Sequence, residues 1–394
     1  MKGIFQNNKR GVSLFVVLLT VTIVFISFVL PKIFSNHYVK NDIAVAVFAS
    51  TTPKEVAFTP SYVKTPDSVK GIYMTSWIAS RRDLRSALVK LIDETEINTL
   101  VIDIKDYSGK IVYEVTNPEL KKFGSEEVRV KDLQEFIEEL HKKNIYVVGR
   151  VAVFQDEYFV KHRPDLAVKT KNGLSVWKDR KGISWIDAGS REYWEYIIMI
   201  AKESRKIGFD EINFDYIRFP SDGNMQDISF PLSSTTPKHL VMKEFFQYLD
   251  TELDGTGLKT SADLFGMVTT AKDDMGIGQL LEDALPHFDY IMPMVYPSHY
   301  PATFQGYKNP ADYPYEVVHF AMKAGVDRAE LMASTTGQSV AEMRPWLQDF
   351  NLGAIYGPDK VRAQIKATYD VGLDSWILWS PSNKYTKGAL KNDE

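Results

Sequence analysis

The sequence predicts a (β/α)8 TIM barrel. Three observations lead there. Eight strand-like stretches alternate with helical ones from residue 69 onward, several of those strands end in carboxylate or aromatic residues, and the span is of the size such a barrel needs. Strand–helix alternation implies a parallel sheet with helices packed outside it. A doubly wound open sheet alternates in the same way, but it gathers its chemistry at one switch point, whereas a barrel spreads it around a rim.

The elements follow in order. "VKGIYMTSW" (69–77) reads as a strand, and "RRDLRSALVKLIDET" (81–95) as a helix with Leu84, Leu88, Leu91 and Ile92 at helical spacing. "INTLVIDIKD" (97–106) is a strand, "VKDLQEFIEELHKKN" (130–144) a helix and "IYVVGRVAVF" (145–154) a strand. "REYWEYIIMIAKESRKIG" (191–208) and "FDEINFDYIRF" (209–219) form the next helix and strand, followed by "HLVMKEFFQYLDTEL" (239–253) and "LKTSADLFG" (258–266). A short helix in "GIGQLLEDALPHF" (276–288) leads to the strand "DYIMPMVY" (289–296). "PYEVVHFAMKAGV" (314–326) and "RAELMASTTG" are helical, and "EMRPWLQDF" (342–350) is a strand. "PDKVRAQIKATYDVG" (358–372) and "LDSWILWS" (373–380) complete the count. The connection from Gln155 to Ser190 is too long for an ordinary loop, and its Tyr158, Trp177 and Trp185 argue that it is ordered.

Ahead of the barrel, residues 1–10 carry Lys2, Lys9 and Arg10, and residues 11–31 run without a charge. About 20 apolar residues span a bilayer as a helix, and a preceding basic flank stays in the cytoplasm. An uncleaved signal anchor is expected, with a cleaved signal peptide as the competing reading. Residues 32–68, rich in Thr and Pro toward their end, are expected to form an extended linker, and 69–394 the exported barrel. With 47 basic and 51 acidic residues, the net charge of −4 leaves no footprint for a nucleic-acid partner. The absence of cysteine excludes disulfides, thiolate chemistry and Cys-ligated zinc. The histidines show no metal-ligand spacing, and "GIG" at 276 lacks the strand and Lys of a phosphate loop, so no cofactor is expected.

Strand residues alternate between faces. In "EINFDYIRFP", Ile212 and Phe214 face the helices, which turns Glu211, Asn213 and Asp215 into the barrel, with Asp215 nearest the C-terminal rim where barrel enzymes work. Asp103 and Lys105 share a face of the second strand, Asp263 shares one with Ser261, and Tyr296 ends the sixth strand. Asp349, with Gln348, ends the seventh, and Trp376 or Trp379 the eighth. Paired carboxylates beside aromatic platforms suit glycosidic bonds: one protonated carboxyl assists the leaving oxygen, and one carboxylate attacks the anomeric carbon or activates a water. Asp215 and Asp263 are the expected catalytic pair. Asp103, Lys105, Arg218, Tyr296, Asp349, Trp379 and Trp77 are the expected substrate-binding residues.

The blocks "VKGIYMTSW", "NTLVIDIKDYSG", "GFDEINFDYIRFPSDG", "SADLFG", "DYIMPMVYPSHY", "RPWLQDF" and "SWILWSPSNKY" resemble the bacterial "putative glycosyl hydrolase" domain family, long known only as a domain of unknown function and grouped with glycosidase TIM barrels. The likeness runs from about Val69 to Tyr385. Two other barrel groups help rank residues. In alpha-amylase-like enzymes a strand-four Asp is the nucleophile, a strand-five carboxylate the acid, and a strand-seven Asp holds the sugar. Asp215, Asp263 and Asp349 match those places, with Asp standing on strand five instead of Glu. Chitinase-like strands are similar to Glu211–Asp215, "MVYP" and Trp379, but Asp215 stands where they carry Glu and Pro297 where they carry Asp. The resemblance implies a glycoside hydrolase acting on a polysaccharide or oligosaccharide, and the N-terminal run adds the expectation that it is exported and membrane-anchored. A catalytically silent carbohydrate-binding barrel and a transglycosidase remain open beside it.

Overall fold

Parallel pairing joins every neighbouring strand of the barrel. A computed structural model of the chain describes residues 58–392. The strands are β1 (Lys70–Met74), β2 (Thr99–Lys105), β3 (Tyr146–Ala152), β4 (Glu211–Asp215), β5 (Lys259–Phe265), β6 (Tyr290–Met294), β7 (Glu342–Met343), β8 (Trp346–Gln348) and β9 (Trp376–Trp379). They run β1 to β6 in order, then through β8 to β9, and β9 pairs back onto β1, so the sheet closes. β7 and β8 share one position in the barrel. The expected strand 342–350 is cut at Pro345, which has no N–H to give to a ladder. Its first piece pairs with β6, and its second bridges β6 and β9. The (β/α)8 architecture is therefore realised with nine strands in eight positions.

Helices cover the outside. The principal ones are α1 (Arg82–Asp93), α2 (Leu133–His141), α3 (Arg191–Ile207), α4 (Lys238–Leu253), α5 (Leu281–Ala284), α6 (Pro314–Thr336) and α7 (Pro358–Asp370). Their apolar stripes meet the outward faces of the strands, as Phe136, Ile137 and Leu140 of α2 do in the same core as Ile104, Val147 and Ile212. Local signals set their ends. Ser190 Oγ accepts from Tyr193 N at 3.3 Å to start α3, and Gly208 ends it at φ 117°. The two helical stretches expected at 314–326 and 328–337 form one helix, which stops at Gly337 with φ 67°. The helix expected over 276–288 is confined to α5, because Gly276 and Gly278 both take positive φ ahead of it.

The long connection is ordered, as its aromatics suggested. It folds through a short helix (Glu157–His162) and isolated bridges such as Ala167–Ile186 and Lys178–Ser184, with Trp177 and Trp185 buried.

Residues 59–68, expected as the end of a linker, pack across the N-terminal end of the barrel. Val63 N donates to Asp210 Oδ1 (2.8 Å), Thr65 Oγ1 to Tyr146 Oη (3.2 Å) and Ser68 Oγ to the Asp374 carbonyl (2.7 Å). The expected signal anchor (11–31) and most of the expected linker lie outside the described residues. Among the described residues, no helix is long and apolar enough to cross a membrane.

Candidate active site

Pairing register brings the interior polar groups together. Asp103 of β2 lies beside Arg150 of β3, Arg150 beside Asn213 of β4, and Asn213 beside Ser261 of β5. One residue dominates the cluster. Arg150 Nη1 donates to Asp103 Oδ1 at 2.7 Å, its Nη2 binds Asp215 Oδ2, and its Nε stands 3.7 Å from Asp263 Oδ2. A single guanidinium thus serves three carboxylates. Burial works against its charge, but Asp215 and Asp103 outweigh that and hold Arg150 well above the ordinary arginine range.

The three carboxylates differ in their remaining partners. Asp215 Oδ1 accepts the N–H of Tyr216 at 2.5 Å. Asp263 Oδ1 accepts from Asn213 Nδ2 (2.8 Å) and Trp346 Nε1 (2.6 Å), and the residue is almost fully buried. Burial first, and the nearby charge of Asp215 second, push the Asp263 carboxyl well above its usual range, against the pull of Arg150 and the two N–H donors. Asp103 is also raised, by burial, although Arg150 and the Tyr73 hydroxyl bind it.

Aromatic rings line the mouth. Trp379 stacks on Tyr296 (5.4 Å between centroids, 26°) and meets Phe350 edge-on (5.1 Å, 90°). Tyr73 lies 6.3 Å from Trp379. The Tyr296 hydroxyl is pushed well above its usual range by burial and then by the charges of Asp263 and Asp215. Beneath the cluster, Glu211 accepts from Tyr146 Oη (3.0 Å) and Arg344 Nη2 (3.1 Å) in a buried polar floor.

The structure thus brings Asp215, Asp263, Asp103, Tyr296 and Trp379 together. Lys105 goes elsewhere. The β2–β3 register shifts between Asp103 and Lys105, and the Lys105 ammonium is sealed at 0% exposure against Asp156 (2.8 Å), Tyr193 Oη (3.1 Å) and the Ala152 carbonyl (2.6 Å). Asp349 lies just past the end of β8, where its oxygens accept Thr386 N (2.7 Å) and Thr386 Oγ1 (2.6 Å). Trp376 points outward and donates to Tyr369 Oη of α7 at 3.1 Å. Trp77 follows β1 on the rim, 61% exposed, with the Arg129 guanidinium 4.5 Å from its ring. Arg218 lies on the loop after β4, against Trp185 and Tyr216.

Arg150 was missed from sequence, yet it left a signal. It interrupts the apolar run "YVVGRVA" on the same face as Tyr146 and Val148, and an unpaired arginine cannot sit inside a barrel. A surface cavity of about 480 Å³ between Asp250, His287 and Asp289 lies at the strands' N-terminal ends and shares no residue with the cluster.

Residues 71–385 match a family model described as "putative glycosyl hydrolase domain". The chain belongs to this family. A hypothetical protein from Ruminiclostridium thermocellum is 34% identical, over 52% of this chain and 98% of that one, with a TM-score of 0.44. The glycoside hydrolase domain of PgaB (BpsB) from Bordetella bronchiseptica is 12% identical over 84% of this chain and 100% of that one, and its TM-score of 0.58 shows a shared fold. A search of the curated proteins found no match. Family membership makes the barrel a glycoside hydrolase domain, with the carboxylate cluster at the rim end where barrel chemistry is done.

Proposed function

We propose that this barrel hydrolyses glycosidic bonds of a cell-surface or environmental polysaccharide, with Asp263 as general acid and Asp215 as its carboxylate partner. The observation that carries this reading is the shared Arg150 guanidinium, which holds Asp215 as an ion pair while burial favours the protonated form of Asp263. A carboxyl that burial keeps protonated, set beside one bound to a guanidinium, is suited to donate a proton. Asp263 gives its proton to the glycosidic oxygen as the bond from the anomeric carbon breaks. The positive charge that grows on that carbon is met by the Asp215 carboxylate. The leaving alcohol keeps the proton, and water adds its hydroxyl to the anomeric carbon of the new reducing end and returns its other proton to Asp263. Trp379, backed by the buried Tyr296 ring, offers a flat face to the C–H side of a sugar ring, with Trp77 further out. The charge-free run at residues 11–31 and the basic flank before it support an exported domain held at the cell membrane.

The test is a hydrolysis screen of the full chain and its Asp215→Asn variant on alpha- and beta-linked polysaccharides and aryl glycosides. Cleavage by the wild type alone supports the assignment. A silent carbohydrate-binding barrel is the second reading, favoured by one observation: Arg150 already occupies Asp215 Oδ2. Binding without cleavage by either protein would establish it.

A further inference from the structure

We propose that Arg218 forms a subsite at the cavity rim for an acidic substituent on the sugar chain, a carboxylate or a phosphate. This rests on the carbohydrate reading above. Arg218 lies three residues beyond Asp215, on the loop that leaves β4. Its guanidinium stands 5.0 Å from the Trp185 ring centroid and 5.5 Å from that of Tyr216, a placement that fixes a planar cation against aromatic faces. Tyr216 itself takes φ 54°, a left-handed backbone that an aromatic residue rarely adopts and that folds retain mainly at functional loops.

The charge of Arg218 has no counter-ion in contact among the described residues. Its hydrogen bonds run from Nη1 alone, to the Phe219 carbonyl (3.0 Å) and Ser221 Oγ (3.2 Å). The neighbouring acids are committed elsewhere. Asp215 is bound to Arg150. Asp179 accepts from Trp185 Nε1 (3.1 Å), Gln155 Nε2 (3.0 Å) and the N–H groups of Lys181 and Ile183 (both 2.9 Å). Asp222, half-buried four residues on, acts through space without an ion pair. Two other arginines on this side of the barrel show the contrast: Arg150 is held by Asp103 and Asp215, and Arg129 by Asp106 and Glu127. Burial outweighs the surrounding acids and lowers Arg218 from the ordinary arginine range, so a ligand anion would relieve a charge that the fold leaves unmatched. Nε and Nη2 remain for it, and that edge of the fork is the one that takes carboxylate or phosphate through two parallel bonds.

Binding to the full chain decides the matter. The probes are an oligogalacturonate beside its methyl ester, and glucose 6-phosphate beside glucose, read by calorimetry and by tryptophan fluorescence. The wild type should bind one acidic probe about tenfold more tightly than its neutral twin, and Arg218→Met should bring the two together. Arg218→Lys, which keeps the charge and loses the fork, should retain part of the preference, and circular dichroism checks that both variants fold. Preference for the uronate names a carboxylate, and preference for glucose 6-phosphate a phosphate. A wild type that binds neither acidic probe, or prefers neither to its twin, overturns the proposal, as does a preference that survives in Arg218→Met. Failure of the hydrolase reading shows separately: no cleavage in the screen, with the charge preference and its loss in Arg218→Met intact.

Discussion

Asp103 and Arg150 form a 2.7 Å ion pair across β2 and β3, and the far side of the same guanidinium holds Asp215. Removing the guanidinium would strand buried carboxylates. Arg150→Met is expected to cost about 3–5 kcal/mol of stability, the usual result of breaking a buried pair from one side. Arg150→Lys should recover part of it as a point charge without the fork. Urea unfolding measures both, and an Arg150→Met protein as stable as the wild type would show that the cluster tolerates three free acids.

Asp215→Asn should lower the hydrolysis rate at least ~10³-fold, because a neutral amide neither attacks nor stabilises a cationic anomeric carbon. The rate on the best substrate of the screen is the readout. An active variant would move the role to another carboxylate.

Asp263→Asn should spare activated aryl glycosides, which need little proton donation, and cripple poor leaving groups. The wild type should lose activity as pH rises through the raised Asp263 value, and the variant should lose that limb of the profile. Equal losses on all leaving groups would argue against the acid role.

The same shift has a stability signature. An unfolded Asp titrates near pH ~3.9, whereas folded Asp263 keeps its proton to higher pH. Above pH ~3.9 the folded state therefore binds the extra proton, so this contribution to stability falls as pH rises toward the folded value and then levels off. Asp263→Asn removes it and retains an acceptor oxygen for Asn213 and Trp346. The difference in urea midpoint between wild type and variant should shift in the variant's favour from pH ~4 upward, and a pH-independent difference would mean that Asp263 holds no extra proton.

Lys105→Met should act on the fold and leave the site alone. It leaves Asp156 buried with only Tyr193 Oη (2.8 Å) and Phe159 N (2.7 Å), at a cost of about 3–5 kcal/mol. KM for the best substrate should stay as in the wild type while the urea midpoint drops. A raised KM at unchanged stability would return Lys105 to the binding surface.

The alternation of periods in the sequence was enough to read the barrel, and simple parity placed Glu211, Asn213 and Asp215 inside it. Parity fails where the backbone departs from an even pleat. The register shift after Asp103 sends Lys105 to the outer layer, and β8 ends at Gln348, one residue short of Asp349. Asp349 then meets Thr386, 37 residues along the chain, a contact that no local pattern announces. Arg150 escaped for a different reason. Its importance comes from neighbours on two other strands, and only the register Asp103–Arg150–Asn213 shows that a lone cation in an apolar strand has company.

The chain reaches the barrel at the pole opposite the mouth, where residues 59–68 are bonded to Asp210, Tyr146 and Asp374. A pull applied ahead of residue 59 would be shared by these bonds along the base, leaving Arg150 and the stacked pair of Tyr296 and Trp379 mechanically isolated. Coupling the protein to a bead or surface through that side would leave the rim end of the strands turned away from the attachment.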